Sequence, residues 1–313
     1  MSDRHFTDRL LEAVETKRSQ VVVGLDPDYA SLPPQVIAAL EGPEFAEERV
    51  LGEGRGCGQE LERKAACYRL FLRGILEALQ EEAVAVKLQV AYFEALGAAG
   101  WAVYEETARL ARELGYLVIA DVKRGDIGST AEAYAAAHLD HVGADAVTVN
   151  PYFGTDGLEP FFRRAREQGK GVFVLVKTSN PSSAELQDLE LAGGGRVYER
   201  VADLVSEWGR GTEGRLGYRL IGAVVGGTHP EEGSRLRARL ERVPFLVPGY
   251  GAQGARAEDV ACLFDARGTG AVVNSARAIL YAYRKRPEVN WREAARQEAR
   301  EMKDALWRMT GRG

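Results

Sequence analysis

The chain has 313 residues, 45% hydrophobic and 28% charged, a composition that excludes disordered and fibrous classes and supports a large core. Lys plus Arg number 41 against 46 Asp plus Glu, a net charge of -5, so no broad attraction to nucleic acid or to an anionic membrane is encoded. Any anionic ligand must be held by a local site.

The opening residues MSDRHFTDRLLEAVETKRSQ mix both charge signs and place Phe6, Leu10, Leu11 and Val14 at helical spacing, which predicts an amphipathic helix and not a signal peptide's apolar block. The first apolar, β-branched run follows at 21–26, VVVGLD. Residues 42–60, GPEFAEERVLGEGRGCGQE, are acidic and glycine-rich and read as a surface insertion. Leu61, Ala65, Tyr68, Leu72, Ile75 and Leu79 then mark a helix before a second run at 83–89; Leu96, Val103, Thr107, Leu110 and Leu114 mark another before a third at 116–123. Five more runs lie at 146–154, 171–179, 220–228, 245–251 and 270–276. Ser129-x-x-Glu132 reads as a capping box opening the helix after the third run, and Pro230 sits where a first helical residue would.

Near-continuous apolar character is what strands covered on both faces show. Eight strand-then-helix units predict a closed (β/α)8 TIM barrel, since parallel strands need helical crossovers and closure removes exposed edges. An open doubly wound sheet fits less well, because VGLDPD, and no GxGxxG, follows the first strand. No fixed-period repeat or linker divides the chain, so residues 1–313 are expected to form one domain with extra terminal helices. Cys57, Cys67 and Cys262 have neither disulfide nor zinc-site spacing, and no apolar run reaches membrane-spanning length, which points to a cytoplasmic protein. His138 and His141, at i and i+3 with no third ligand in view, read as helix-surface residues and not as a metal site. Trp101, Trp208, Trp291 and Trp307 read as packing between helices and barrel.

In such barrels the chemistry lies at the carboxyl ends of the strands. There stand Asp26 after the first strand, Lys87 in the second, Asp121 and Lys123 in the third with Asp126 in its loop, Ser179 after the fifth, Gln253 after the seventh and Arg277 after the eighth. Alternation along a strand sends Asp121 and Lys123 to one side, and the loop is expected to bring Asp126 back toward them. With Lys87 the site would hold two acids and two bases; a purely structural ion-pair network is the other reading of this set. The glycines of PGYGAQGA and the nearby Arg277 suit an anion such as phosphate. No serine or cysteine has a base and an orienting group beside it, so triad chemistry has no support.

The ordered segments VGLDPD, VKLQVAYFEALG, DVKRGDIGSTAEAYA, TVNPYFG, KTSNPSS, PGYGAQG and NSARAIL, spanning about residues 20–280, resemble the orotidine 5′-phosphate decarboxylase family, in particular its longer bacterial subgroup. The resemblance implies conversion of orotidine 5′-monophosphate (OMP) to uridine 5′-monophosphate (UMP) and carbon dioxide, the last step of pyrimidine nucleotide synthesis, with no metal or organic cofactor. It implies a homodimer with shared sites. It also implies that Lys123 donates the proton to position 6 of the pyrimidine, that Asp121 lies beside the departing carboxylate, and that Lys87 binds Asp121 and the ribose hydroxyls. Asp126 and Thr130 would reach toward the ribose in the partner's site, Asp26 would hold a ribose hydroxyl, Ser179 the pyrimidine edge, and Gln253 and Arg277 the phosphate. Ala276 departs from the glycine common before that arginine. Relatives that share DxKxxD but use magnesium on sugar phosphates, and a non-catalytic phosphosugar-binding barrel, are the alternatives.

Overall fold

The computed structural model describes residues 5–40 and 57–312. Eight parallel strands close into a barrel in chain order: β1 Val21–Leu25, β2 Ala85–Gln89, β3 Leu117–Arg124, β4 Ala146–Val149, β5 Gly171–Lys177, β6 Ile221–Val225, β7 Phe245–Val247 and β8 Ala271–Ser275. Pairing of Val21 with Val273 and of Val23 with Ser275 completes the ring. The strands are buried along almost their whole length, which accounts for their continuous apolar runs: one face fills the barrel and the other meets the helices. Some runs end sooner than the sequence suggests. After β4 the Asn150 side chain accepts a hydrogen bond from the Tyr152 backbone at 3.1 Å, turning the chain into the helix Gly154–Gln168.

The amphipathic first helix, Phe6–Lys17, closes the end of the barrel opposite the strand carboxyl termini. Phe6 meets the Phe173 ring edge-on at 5.8 Å, and its backbone donates to Gly169 at 2.8 Å. Asp8, in the same first turn, accepts from the backbone of Arg215 at 2.7 Å and of Leu216 at 2.9 Å, tying the helix to the loop before β6. At the other terminus the helix Trp291–Met309 packs beside the helix Cys57–Ala78 and joins Arg300 to the buried Glu82 at 2.8 Å. The four tryptophans are partly buried against the core, as their placement in helical segments suggests. Cys67 and Cys262 are free thiols. Most of the 42–60 insertion lies outside the described residues; its last four, 57–60, already belong to the helix Cys57–Ala78.

Two local expectations are corrected. The helix after β3 begins at Gly128 with Ile127 at its N-cap and no side-chain cap, so Ser129 and Glu132 form no capping box. Glu132 instead pairs with Arg163 and, at 2.7 Å, with Arg164 on the neighbouring helix, a tertiary ion pair that takes the carboxylate away from the backbone. His138 is not on the surface. It is 2% exposed, on a wide π turn spanning Ala136–His141, with Nδ1 3.2 Å from the Tyr104 hydroxyl and Trp101 alongside. The wider turn alters the face that each side chain takes, which helical spacing alone does not reveal. Pro230 does occupy the first turn of the helix Pro230–Arg239, and His141 is exposed beside Glu105.

Candidate active site

At the carboxyl end of the barrel, β1, β2 and β3 bring charged side chains onto one axis. The Lys87 ammonium donates to Asp121 Oδ2 at 2.6 Å, and the Lys123 ammonium donates to Asp121 Oδ1 at 2.5 Å. Asp26 Oδ1 lies 3.6 Å from Lys87, attracted to it but too far for a hydrogen bond, and this buried oxygen has no donor. The chain order of the cluster is therefore Asp26, Lys87, Asp121, Lys123, with alternating sign. Burial opposes ionisation of Asp121, but Lys87 and Lys123 outweigh it and hold the carboxyl far below its ordinary range. Burial likewise opposes the charge on Lys87, and Asp121 and Asp26 reverse that effect and raise its pKa.

Local backbone chemistry aims Lys123. Its φ of +48° is in the left-handed region, costly for a residue with a side chain, at a break in register between β3 and β4. Thr148 on β4 holds this turn. Its hydroxyl accepts from the backbone of Val122 and of Lys123, each at 3.1 Å, and donates to Asp121 Oδ1 at 2.8 Å. Gln89 completes the shell around Asp121 by donating to Oδ2 at 3.0 Å. Neither Thr148 nor Gln89 stands out in the sequence. The available signals were a lone hydroxyl in the apolar run AVTV and a polar side chain two residues beyond Lys87, on the same face of β2.

The cluster forms one wall of a cavity of 530 Å³ within the size range of small-molecule sites. Ser179, Gln253, Arg277 and Tyr92 also line it. Ser179 approaches so closely that a side chain at Gly226 would meet its backbone at 3.0 Å, and Gly249 takes φ +108° where the loop after β7 turns toward Gln253. Ala276 lies in the same wall. Asn274 on β8 was not foreseen; its buried Oδ1 has no hydrogen-bond donor.

Asp126 and Thr130 are not among the cavity-lining residues. Among the described residues Asp126 forms no ion pair with Lys123; its carboxylate accepts from the Ile127 backbone at 2.7 Å. Asp26 is the second acid of the cluster instead. The Asp126 loop lies on an exposed apolar rim, where Ile127 is 58% and Tyr152 81% exposed. Among the described residues no helix is long and apolar enough to cross a membrane.

Residues 20–294 match the family model described as orotidine 5′-phosphate decarboxylase / HUMPS family. Orotidine 5′-phosphate decarboxylase of Clostridium tetani is 44% identical over 238 residues, covering 75% of this chain and 82% of that one. The enzyme of the same name from Clostridium perfringens is 38% identical over 303 residues, 96% of this chain and 98% of the other. The solved OMP decarboxylase of Leishmania donovani superposes with a TM-score of 0.72 at 32% identity, covering 97% of this chain and 99% of its own. By sequence and by fold, the chain belongs to the orotidine 5′-phosphate decarboxylase / HUMPS family.

Proposed function

We propose that this protein is a carboxy-lyase that converts OMP to UMP and carbon dioxide, acting in the cytoplasm as a single-domain barrel and without a metal or organic cofactor. The observation that carries this reading is the arrangement of Asp121 between two ammoniums, one of which, Lys123, is set by a left-handed backbone turn in the cavity wall.

Breaking the bond from C6 of the pyrimidine to its carboxylate leaves the electron pair in the ring plane, where the ring carbonyls cannot delocalise it. A fixed positive charge close to C6 is the remedy, and a preorganised charge avoids the reorganisation that water would require. Lys123 supplies that charge. As carbon dioxide departs, its ammonium gives a proton to C6, which yields UMP, and the neutral amine regains a proton from solvent. Asp121 remains a carboxylate throughout and holds the Lys123 ammonium in place; set against the substrate carboxylate, it also adds repulsion in the ground state. Lys87 fixes Asp121 and faces the ribose hydroxyls. The donorless oxygen of Asp26 supports its role as acceptor of a ribose hydroxyl, since a buried carboxylate oxygen without a donor is costly until a ligand supplies one.

An acceleration near the upper end of enzyme catalysis requires about 20 kcal/mol, more than one ion pair supplies. Distant contacts make up the difference by organising the site: Arg277 and Gln253 on the phosphate, Ser179 on the pyrimidine edge. Because the Asp126 loop lies on an exposed apolar rim and Asp126 does not line its own chain's cavity, we infer a homodimer in which Asp126 and Thr130 of each subunit complete the ribose contacts of the other.

Mixing OMP with enzyme in excess chelator tests this reading. The ultraviolet absorbance of the orotate ring should fall as UMP forms; unchanged absorbance, or activity restored only by magnesium, would favour the magnesium-dependent sugar-phosphate chemistry of the same superfamily.

A further inference from the structure

Lys177, the last residue of β5, is a buried cation that the reaction does not use. It is 1% exposed, and its ammonium donates to Asp188 at 2.7 Å, with the Tyr198 ring 5.4 Å away. Asp188 lies eleven residues along, in the segment that leaves β5 and carries Ser179 and Asn180 along the cavity wall. Further bonds fold the same segment onto its root. Gln187 accepts from the Thr178 backbone at 3.0 Å and donates to the Thr178 hydroxyl at 2.7 Å, while that hydroxyl donates to Asn180 at 2.7 Å. Farther out, the backbone closes on itself from Leu191 to Gly195 and from Val197 to Leu189.

We propose that the Lys177–Asp188 pair is a positioning element for base recognition, fastening the 178–196 segment so that Ser179 and Asn180 meet the pyrimidine. The physical reason lies in the burial of Lys177. If the segment swings outward, Asp188 leaves and an ammonium with almost no access to water is stranded among β5 and Tyr198, so the inward position is strongly preferred. Most of the segment's own bonds are internal and would travel with it. The buried charge pair, in contrast, ties it to the barrel, and neither of its residues lines the cavity. The inference rests on the assignment of Ser179 to the pyrimidine edge.

Calorimetric titration of the intact protein with UMP and with ribose 5-phosphate separates the possibilities. In Asp188→Asn, UMP affinity should fall about tenfold while ribose 5-phosphate affinity is unchanged, and Asp188→Glu should recover part of the loss. A general loss of fold or of the phosphate site would weaken both ligands alike and overturn the proposal. Ser179→Ala is the companion measurement. Selective loss of UMP affinity there but not in Asp188→Asn overturns the anchor alone, whereas unchanged selectivity in both removes the Ser179 assignment and the anchor with it.

Discussion

Thr148 holds Lys123 through the backbone: its hydroxyl accepts from the Lys123 amide at 3.1 Å and donates to the Asp121 carboxylate, which in turn holds the Lys123 ammonium. A single buried hydroxyl thus fixes both ends of the residue assigned to proton donation. Thr148→Val keeps the shape of the side chain but leaves two backbone amides and a carboxylate oxygen short of a partner. The expected cost is about 2 kcal/mol of transition-state stabilisation, or about 30-fold in kcat, with UMP affinity changed little. Steady-state kinetics with OMP and UMP titration check it; wild-type kcat would remove Thr148 from the positioning of Lys123.

Lys123→Ala removes the charge that faces C6 while Lys87, Asp26 and the phosphate wall stay in place. Turnover should drop by about 10³-fold or more, and UMP should still bind. Single-turnover decarboxylation and calorimetry measure the two separately. Near-normal turnover in this variant is incompatible with the proposed mechanism.

Arg277 has no carboxylate partner among the described residues and lines the cavity that the charged cluster also lines. Arg277→Ala should weaken UMP by about 10- to 100-fold through loss of a charge-assisted contact, while uridine, which has no phosphate, should be unaffected. Equal loss for both ligands would place the arginine elsewhere in recognition.

Mixing subunits tests the shared site. If Asp126 serves the partner, a mixture of Asp126→Ala and Lys123→Ala proteins forms hybrid dimers in which one of two sites is intact. With equal amounts and free exchange, half the dimers are hybrids, so activity should return to about a quarter of wild type. No recovery, with exchange demonstrated by native mass spectrometry, would show that Asp126 acts within its own chain.

Acid stability should depend on His138. Burial, aided by Arg124, pushes its pKa down from 6.5 to about 4 in the folded protein. Between those values the unfolded chain binds more protons than the folded one, so His138 destabilises the fold progressively as pH falls from about 6.5 to about 4 and contributes no pH dependence above that window. The shift corresponds to about 3 kcal/mol. His138→Gln, which keeps a polar partner for Tyr104, should be less stable than wild type at pH 7 and close that gap by pH 4.5, as read by urea unfolding. A gap that stays constant with pH would mean that His138 titrates normally.

The sequence by itself determined the barrel, because eight continuously apolar, β-branched segments separated by amphipathic helices can all be buried in no other parallel arrangement without exposed edges. It also determined which strand ends carry charge: Lys87, Asp121 and Lys123 needed only alternation and the rule that chemistry sits at strand carboxyl ends. The tertiary structure decided what crosses between segments. Thr148 reaches Asp121 from the next strand, Asp188 reaches back to Lys177 over eleven residues, and Asp26 joins the cluster from the first strand. Glu132 left its expected cap for two arginines on another helix, and a π turn carried His138 inside. Each of these outcomes is a competition between a local hydrogen bond and a partner from a distant segment. Spacing along one segment fixes the local competitor, but only the assembled barrel brings the distant one within reach.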